Sequence, residues 1–486
     1  MSKPNILESM PGPSARFGRF VETVKVFSDP IQYVDKNFKA YGPIFRTLTA
    51  SLTTPPSPNY PGTICIYGPN LIHELCSDHD GFHRSALSHR LYPVDKVTPR
   101  TEPLLRIMTG LTHVRGDTHR AHRRLILPAF HKHKIINYIP AIISETQGLM
   151  NEWQVGDVYD ISREMSKLIL RISARSLFGQ TDQTEGRRIG LLIDQWVAFI
   201  MSESHLFPLD FPGVPYHKWL DLSHQIEAAT RQIIVEKRTH GADDDSLLSM
   251  LIQATDEGGM GFSEEDLIGH ISLMLWGSRD AAAAALMWTL FLISLHAEIQ
   301  ERIVGELNAV LHGSPPSREQ LAQLPLTENA LKESLRLLPP FPLVNRVASP
   351  SRQLAGYEVP EGAEVIMSIY HTHRMPELYD EPSSFRPDRW RTLKPGTFEY
   401  MPFGGGPRMC PGYNLAWEEL IVAIAMLLER FRFEMVDDAR VDRIVKLGLL
   451  PKQGLPMIIH RQDREFSKSV KPVRGNLNEM VTTLPH

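Results

Sequence analysis

The chain has 486 residues, of which 42% are hydrophobic and 22% charged, and it carries a formal net charge of −4. That composition belongs to a globular protein with a sizeable core, and the mild negative balance argues against general nucleic-acid binding. Its three cysteines, Cys65, Cys76 and Cys410, form no disulfide framework and no zinc-ligand spacing, which fits a reducing, cytoplasmic setting.

Residues 1–18 are polar and proline-punctuated, which predicts a flexible start with neither a signal peptide's apolar stretch nor a membrane anchor. Residues 20–40 follow a helical period, and segments near 44–52 and 62–68 read as strands, Cys65 being a buried strand residue. Residues 69–82 predict a helix with Cys76 on its apolar face, and 87–112 an irregular stretch. A helical segment from Ser144 to Phe178 is broken at Gly156, and Leu191–Glu203 is an apolar helix. The proline-stiffened, aromatic run 206–216 reads either as a lid over an access channel or as a loop packed against its neighbours. Residues 264–295 make the longest predicted helix, about 48 Å at 1.5 Å per residue. Its middle is apolar nearly all round, as in a helix buried within a large domain; Arg279 and Asp280 make a membrane span costly. Residues after 391 are mostly loop, Tyr413–Leu428 is an apolar helix, and 461–486 a polar surface strap.

The most informative run is Phe403-Gly404-Gly405-Gly406-Pro407-Arg408-Met409-Cys410-Pro411-Gly412. It sets a cysteine in a glycine-rich turn, two residues after an arginine and just before the helix. Backbone amides and a nearby cation are expected to lower the thiol pKa, which suits a soft-metal or haem-iron ligand. Cys–thiolate ligation of haem iron, the ligation used by cytochromes P450, favours O–O cleavage.

The loop resembles the cysteine loop of the cytochrome P450 family, with Phe403, Gly406, Arg408, Cys410 and Gly412 at the five motif positions. Three further segments resemble the family in the same order. Gly116–Arg124 is similar to its C helix, with His119 and Arg123 one helical face apart at i, i+4. Glu333-Ser334-Leu335-Arg336 is similar to its Glu-x-x-Arg helix. Phe385-Arg386-Pro387-Asp388-Arg389-Trp390 is similar to its Pro-Glu-Arg-Phe stretch, with Asp and Trp as departures. The resemblance covers about residues 41–456. It implies a mainly α fold with a smaller β-rich region, built as one haem domain over residues 1–486. It further implies that Cys410 ligates the iron of haem b (iron protoporphyrin IX), with Phe403 beside it, and that His119, Arg123, Arg346 and Arg408 hold the propionates, as two buried carboxylates require. Glu333, Arg336 and Arg389 are then a buried structural network for haem assembly.

One departure bears on mechanism. The family's central helix carries an acid followed by two threonines that organise proton delivery; here the run is Gly277-Ser278-Arg279-Asp280-Ala281-Ala282. Asp280 keeps the acid, but a methyl group at Ala281 holds no relay water. Three readings stand side by side: a substrate hydroxyl fills the gap, Ser278 supplies a substitute hydroxyl, or the haem serves a peroxygenase, isomerase or dehydratase reaction. Arg279 is expected to pair with a neighbouring acid. Substrate contacts are expected from Leu104, Leu105, Trp276, Gly277, Phe341, Leu343, Val344 and Leu449, which predicts a hydrophobic small-molecule substrate of specialised metabolism. No reductase region is fused to the sequence. The resemblance thus implies a ferredoxin- or flavodoxin-type donor with its own reductase, docked on the basic segment Arg115, Arg120, Arg124, Lys132 and Lys134. His122, His131 and His133 read as part of that solvated basic face. A non-catalytic family member that stabilises another enzyme is the remaining alternative.

Overall fold

In the computed structural model the described residues are 6–13, 25–26, 28–47, 61–84, 97–179, 183–201, 209–240, 244–446 and 448–482. The helices of seven residues or more are α1 (Pro30–Tyr41), α2 (Pro69–Ser77), α3 (Glu102–Met108), α4 (Gly116–Ile126), α5 (Ile139–Glu152), α6 (Ile161–Phe178), α7 (Gln183–Met201) and α8 (Pro215–His240). They continue with α9 (Leu247–Gln253), α10 (Glu264–Ser294), α11 (Ala297–Leu311), α12 (Pro325–Leu337) and α13 (Tyr413–Arg430). The strands are β1 (Ile44–Arg46), β2 (Thr63–Ile66), β3 (Phe82–His83), β4 (Val158–Asp160), β5 (Leu343–Ala348) and β6 (Arg352–Leu354). After these come β7 (Tyr357–Val359), β8 (Glu364–Ser368), β9 (Phe431–Met435), β10 (Arg443–Val445), β11 (Leu449–Pro451) and β12 (Pro456–Arg461). The principal sheet has the order β1-β2-β8-β5-β3, in which β2 and β8 are parallel and the other pairs antiparallel. The mainly helical class with a small β-rich region is therefore correct.

Helix α10 organises the interior. Ser263 caps it, accepting from the Asp266 N–H while Asp266 answers back, so the first turn is satisfied on both sides. From Ala282 to Ser294 every residue is buried, which explains the all-round apolar sequence. That half packs with α12 and α13 in the largest core cluster, whereas its first half packs with α3, α7 and α8 in a second one. Residues 277–281 are half-buried and lie at the seam between the two clusters. The seam holds Gly277, Arg279, Asp280 and the helix's first alanine, Ala281. Among the described residues no single helix is long and apolar enough to cross a membrane.

Several boundaries differ from expectation. The predicted helix over 69–82 stops at Ser77, and Phe82 pairs with Ala348 as an edge strand instead. The irregular stretch contains α3, whose Pro103, Leu104, Ile107 and Met108 are buried. Residues 6–9 form a 3-10 turn with Leu7 and Met10 buried in the sheet core, so this part of the N-terminal segment is fixed rather than flexible. The C-terminal strap is no surface strap throughout: Leu477, Met480 and Val481 are nearly fully buried in the main core. In each case a few apolar residues in a polar context carried the packing, too few for a periodicity to show. Of the 206–216 run, only 209–216 is described; Leu209 and Phe211 are 56% and 52% exposed.

Candidate haem-thiolate site

The cysteine loop is a turn that only glycine permits at two points. Gly404 and Gly406 adopt φ +76° and +67°, where a side chain is strained. A Cβ on Gly405 would fall 2.9 Å from the Phe398 ring. The Cys410 N–H donates to the Phe403 carbonyl at 3.0 Å, closing the loop, and Phe403 packs edge-on against Tyr413 at the start of α13. The Cys410 side chain is solvent-accessible although protein surrounds it closely, so its sulfur faces an internal cleft.

The expected depression of the Cys410 pKa does not hold. Burial pushes the thiol above its ordinary value, and the Gly412 N–H and the charges of Arg123 and Arg84 offset this only in part. Arg408 gives no such help because it points elsewhere, donating to the carbonyls of Leu111 and Val114 at 3.3 and 3.1 Å. Full thiolate character is thus left to a metal cation at the sulfur, which deprotonates a coordinating thiol outright.

Around this sulfur the fold gathers cations. Helix α4 presents His119 and Arg123 on one face. Arg123 donates to the Met409 carbonyl at 2.8 Å, and His119 is buried. Arg346 comes from β5, where the sheet register sets it opposite Val365, and it is 6% exposed. Arg84, just past β3, joins them. Burial and the mutual repulsion of these charges lower Arg408 and Arg84 to about 10, with Arg346, Arg84, Arg115 and Arg123 acting on Arg408. His119 falls to about 4 through burial and the same arginines, so it is a neutral hydrogen-bond donor at pH 7. Among the described residues none of Arg84, Arg123, Arg346 and Arg408 has a carboxylate partner, and the buried Arg408 Nε has no acceptor. Confined cations without anions are costly unless an anion completes them. A planar group bearing two carboxylates, with a metal facing Cys410, fits this donor set. Sequence reasoning missed Arg84; it stands alone after a two-residue strand, and no pattern marked it.

Behind the loop, Glu333 and Arg336 are both fully buried. Arg336 donates to Glu333 through Nε and Nη2, both at 2.9 Å, and to the His373 and Pro382 carbonyls. Glu333 also accepts from Arg389 Nε, Trp390 Nε1 and the Arg386 N–H at 2.9–3.0 Å. Despite burial, these donors hold its carboxyl below the ordinary value. His373 carries the network forward: its Nε2 accepts from the Met401 N–H at 2.9 Å, and its ring stacks on Tyr400. Burial lowers it to about 3, which keeps it the neutral acceptor this bond needs. Nothing in the local sequence singled out His373, because its role depends on two segments brought together only by folding.

At the seam of α10, Asp280 is half-buried and its pKa is raised by loss of solvation, with Arg279 opposing and Asp194 reinforcing the rise. Arg279 pairs with Asp194 at 2.6 Å and lies 3.6 Å from Asp280. The Ser278 hydroxyl donates to the Met274 carbonyl at 2.6 Å and meets Ser173 of α6 at 3.0 Å. Of the expected pocket residues, Leu105, Trp276, Gly277, Phe341, Leu343 and Val344 are half-buried and accessible. Leu104 and Leu449 are fully buried in the core. On β11 the alternation turns Leu450 to the accessible side instead. The solvated-face reading fails for His122. It is half-buried, its Nδ1 3.1 Å from His270 Nε2; His131 and His133 are exposed as expected.

Comparison with known proteins agrees with this site. The family model for cytochrome P450 matches residues 10–458. Cyclooctat-9-en-7-ol 5-monooxygenase of Streptomyces melanosporofaciens is 31% identical over 336 residues, 67% of this chain and 73% of that protein. Pentalenene oxygenase of Streptomyces avermitilis is 30% identical, over 68% and 75% respectively. Cytochrome P450 72A15 of Arabidopsis thaliana is 29% identical over 89% of this chain and 84% of that one. In fold, the chain is similar to a retinoic acid bound cyanobacterial CYP120A1, with a TM-score of 0.77 at 22% identity, covering 93% of this chain and 99% of that one. The chain therefore belongs to the cytochrome P450 family, whose members are haem-iron oxidoreductases of the monooxygenase type.

Proposed function

We propose that this chain is a haem b monooxygenase that oxidises a hydrophobic small molecule, with electrons from a separate ferredoxin- or flavodoxin-type donor. The carrying observation is the accessible Cys410 sulfur beneath a set of unpaired arginines. Cys410 would hold the iron; His119, Arg123, Arg346 and Arg408 would hold the propionates, with Arg84 beside them. The Glu333–Arg336–Arg389 network would fix the segment that leads into the cysteine loop. When bound, the haem supplies the oxidising chemistry, and the thiolate favours O–O cleavage. Asp280 would hold and release protons on the opposite side. Burial shifts its pKa upward, the direction that favours holding and passing on a proton.

The accessible pocket positions are mostly apolar (Trp276, Phe341, Leu343, Val344), which excludes water and selects a hydrophobic substrate. Two of the relatives are terpene oxygenases, and compounds of that class are the first to screen. Arg115 and Arg124 lie exposed on and beside α4 and would meet an acidic donor, whose on-rate they would raise. A cytoplasmic location agrees with the three unpaired cysteines. Titrating the ferric protein with terpenes and following the Soret band tests the substrate class. A shift with saturable affinity supports it; no shift with any terpene, alongside one with a polar ligand, rejects it.

A second reading rests on Ala281 together with the committed Ser278 hydroxyl: without a relay hydroxyl on α10, the enzyme works with peroxide, or as an isomerase or dehydratase. Turnover with peroxide at a rate above that with the electron donors favours this reading.

A further inference from the structure

The seam of α10 holds three charges that do not balance. Arg279 has two acids within reach, Asp194 of α7 at 2.6 Å and Asp280 on its own helix at 3.6 Å. Its Nε is buried without a partner among the described residues. Asp194 is 44% exposed, whereas Arg279 and Asp280 are 16% and 15% exposed. The nearer acid is thus the one with the weaker need of a partner, because water already solvates it. The charged groups acting on Asp280 are Arg279 and Asp194. Helix α6, packed along the same helix, meets this level through the neutral Ser173, 3.0 Å from Ser278.

We propose that Asp194 is a positioning residue: by holding the Arg279 guanidinium towards α7, it keeps that cation from closing on Asp280. The protonation of Asp280 then depends on where α7 stands. While α7 is packed on α10, Arg279 is shared and Asp280 keeps its proton to higher pH. When the Asp194 contact is lost, Arg279 closes on Asp280 and the carboxyl ionises more readily, as an acid does beside an unshared cation. A helix on the outer side of the fold thereby governs a carboxyl at the seam. This rests on the functional reading only in making that carboxyl relevant to proton delivery.

The experiment is a pH titration of the infrared C–O stretch of the reduced, carbon monoxide-bound holoprotein, a band sensitive to nearby charge. The wild-type band is expected to titrate, and D280N to abolish the transition. D194N is expected to lower the midpoint by about one pH unit, D194E to restore it, and R279Q to raise it. In D194N/R279Q most of the Asp194 effect should vanish, because the residue acts through Arg279. A band that does not titrate through Asp280, a D194N midpoint equal to wild type, or a D194N shift undiminished in the R279Q background overturns the proposal. Coupling of electrons to product in D280N decides the other matter. If it is unchanged, Asp280 has no part in proton delivery, while the titration still decides whether Asp194 governs it.

Discussion

Arg123 Nη1 donates to the Met409 carbonyl at 2.8 Å, so one residue on α4 both lends charge to Cys410 and pins the backbone just before it. Arg123→Gln removes the charge and lengthens or loses this bond. Leaving a buried carbonyl unpaired costs about 1–3 kcal/mol. The expected result is a less stable holoprotein that loses haem faster, with Arg123→Lys recovering only part of the loss. Haem transfer to a scavenging apoprotein, followed by absorbance, measures it.

Arg336 makes five hydrogen bonds inside the protein, two of them to Glu333, with no exposure to water. Arg336→Ala leaves Glu333 with Arg389 as its remaining cation and is expected to cost about 3–5 kcal/mol. Lysine cannot fork to two carboxylate oxygens and three carbonyl groups, so Arg336→Lys should fail almost as badly. The readout is the yield of haem-loaded protein and its urea midpoint.

Glu419 on α13 is buried, its Oε1 lacks a partner, and burial raises its pKa from 4.5 to about 8. The unfolded chain ionises this carboxyl near 4.5 while the folded protein keeps the proton, so between these values the native state binds more protons. Stability from this group is complete below pH 4.5 and is lost as pH rises towards 8, by an amount on the order of a few kcal/mol. Glu419→Gln, which mimics the protonated form, should raise the unfolding temperature at pH 8 and change it little at pH 5. An equal effect at both pH values contradicts this.

The contrast between what could be read from the chain and what could not follows from range. The cysteine loop, the Glu333/Arg336 spacing and the all-round apolar α10 are local patterns, each carried by fewer than a dozen consecutive residues or one helical period. Arg84 and His373 matter through segments far along the chain: Arg84 acts on Arg408, and His373 accepts from Met401. The spacing of Ser278 before Ala281 is legible in the sequence, but its contacts with the Met274 carbonyl and Ser173 of α6 come only from packing. On β11 strand alternation buries Leu449 and leaves Leu450 half-buried, which the short apolar run alone did not separate.

Ala281→Thr restores a hydroxyl at the seam, beside Asp280. It is expected to raise the fraction of consumed electrons that appear in product, with little change in substrate affinity. Product formed per reduced nicotinamide consumed measures it. An unchanged ratio contradicts the idea that the missing hydroxyl at this position limits proton delivery.

The central claim is the bond between Cys410 and haem iron, and the spectrum of the reduced protein under carbon monoxide tests it most directly. The account predicts a strongly red-shifted Soret band typical of thiolate ligation, lost in Cys410→Ser although the fold is retained by circular dichroism. A haem-free preparation, an imidazole-type band, or a thiolate band that survives Cys410→Ser contradicts it.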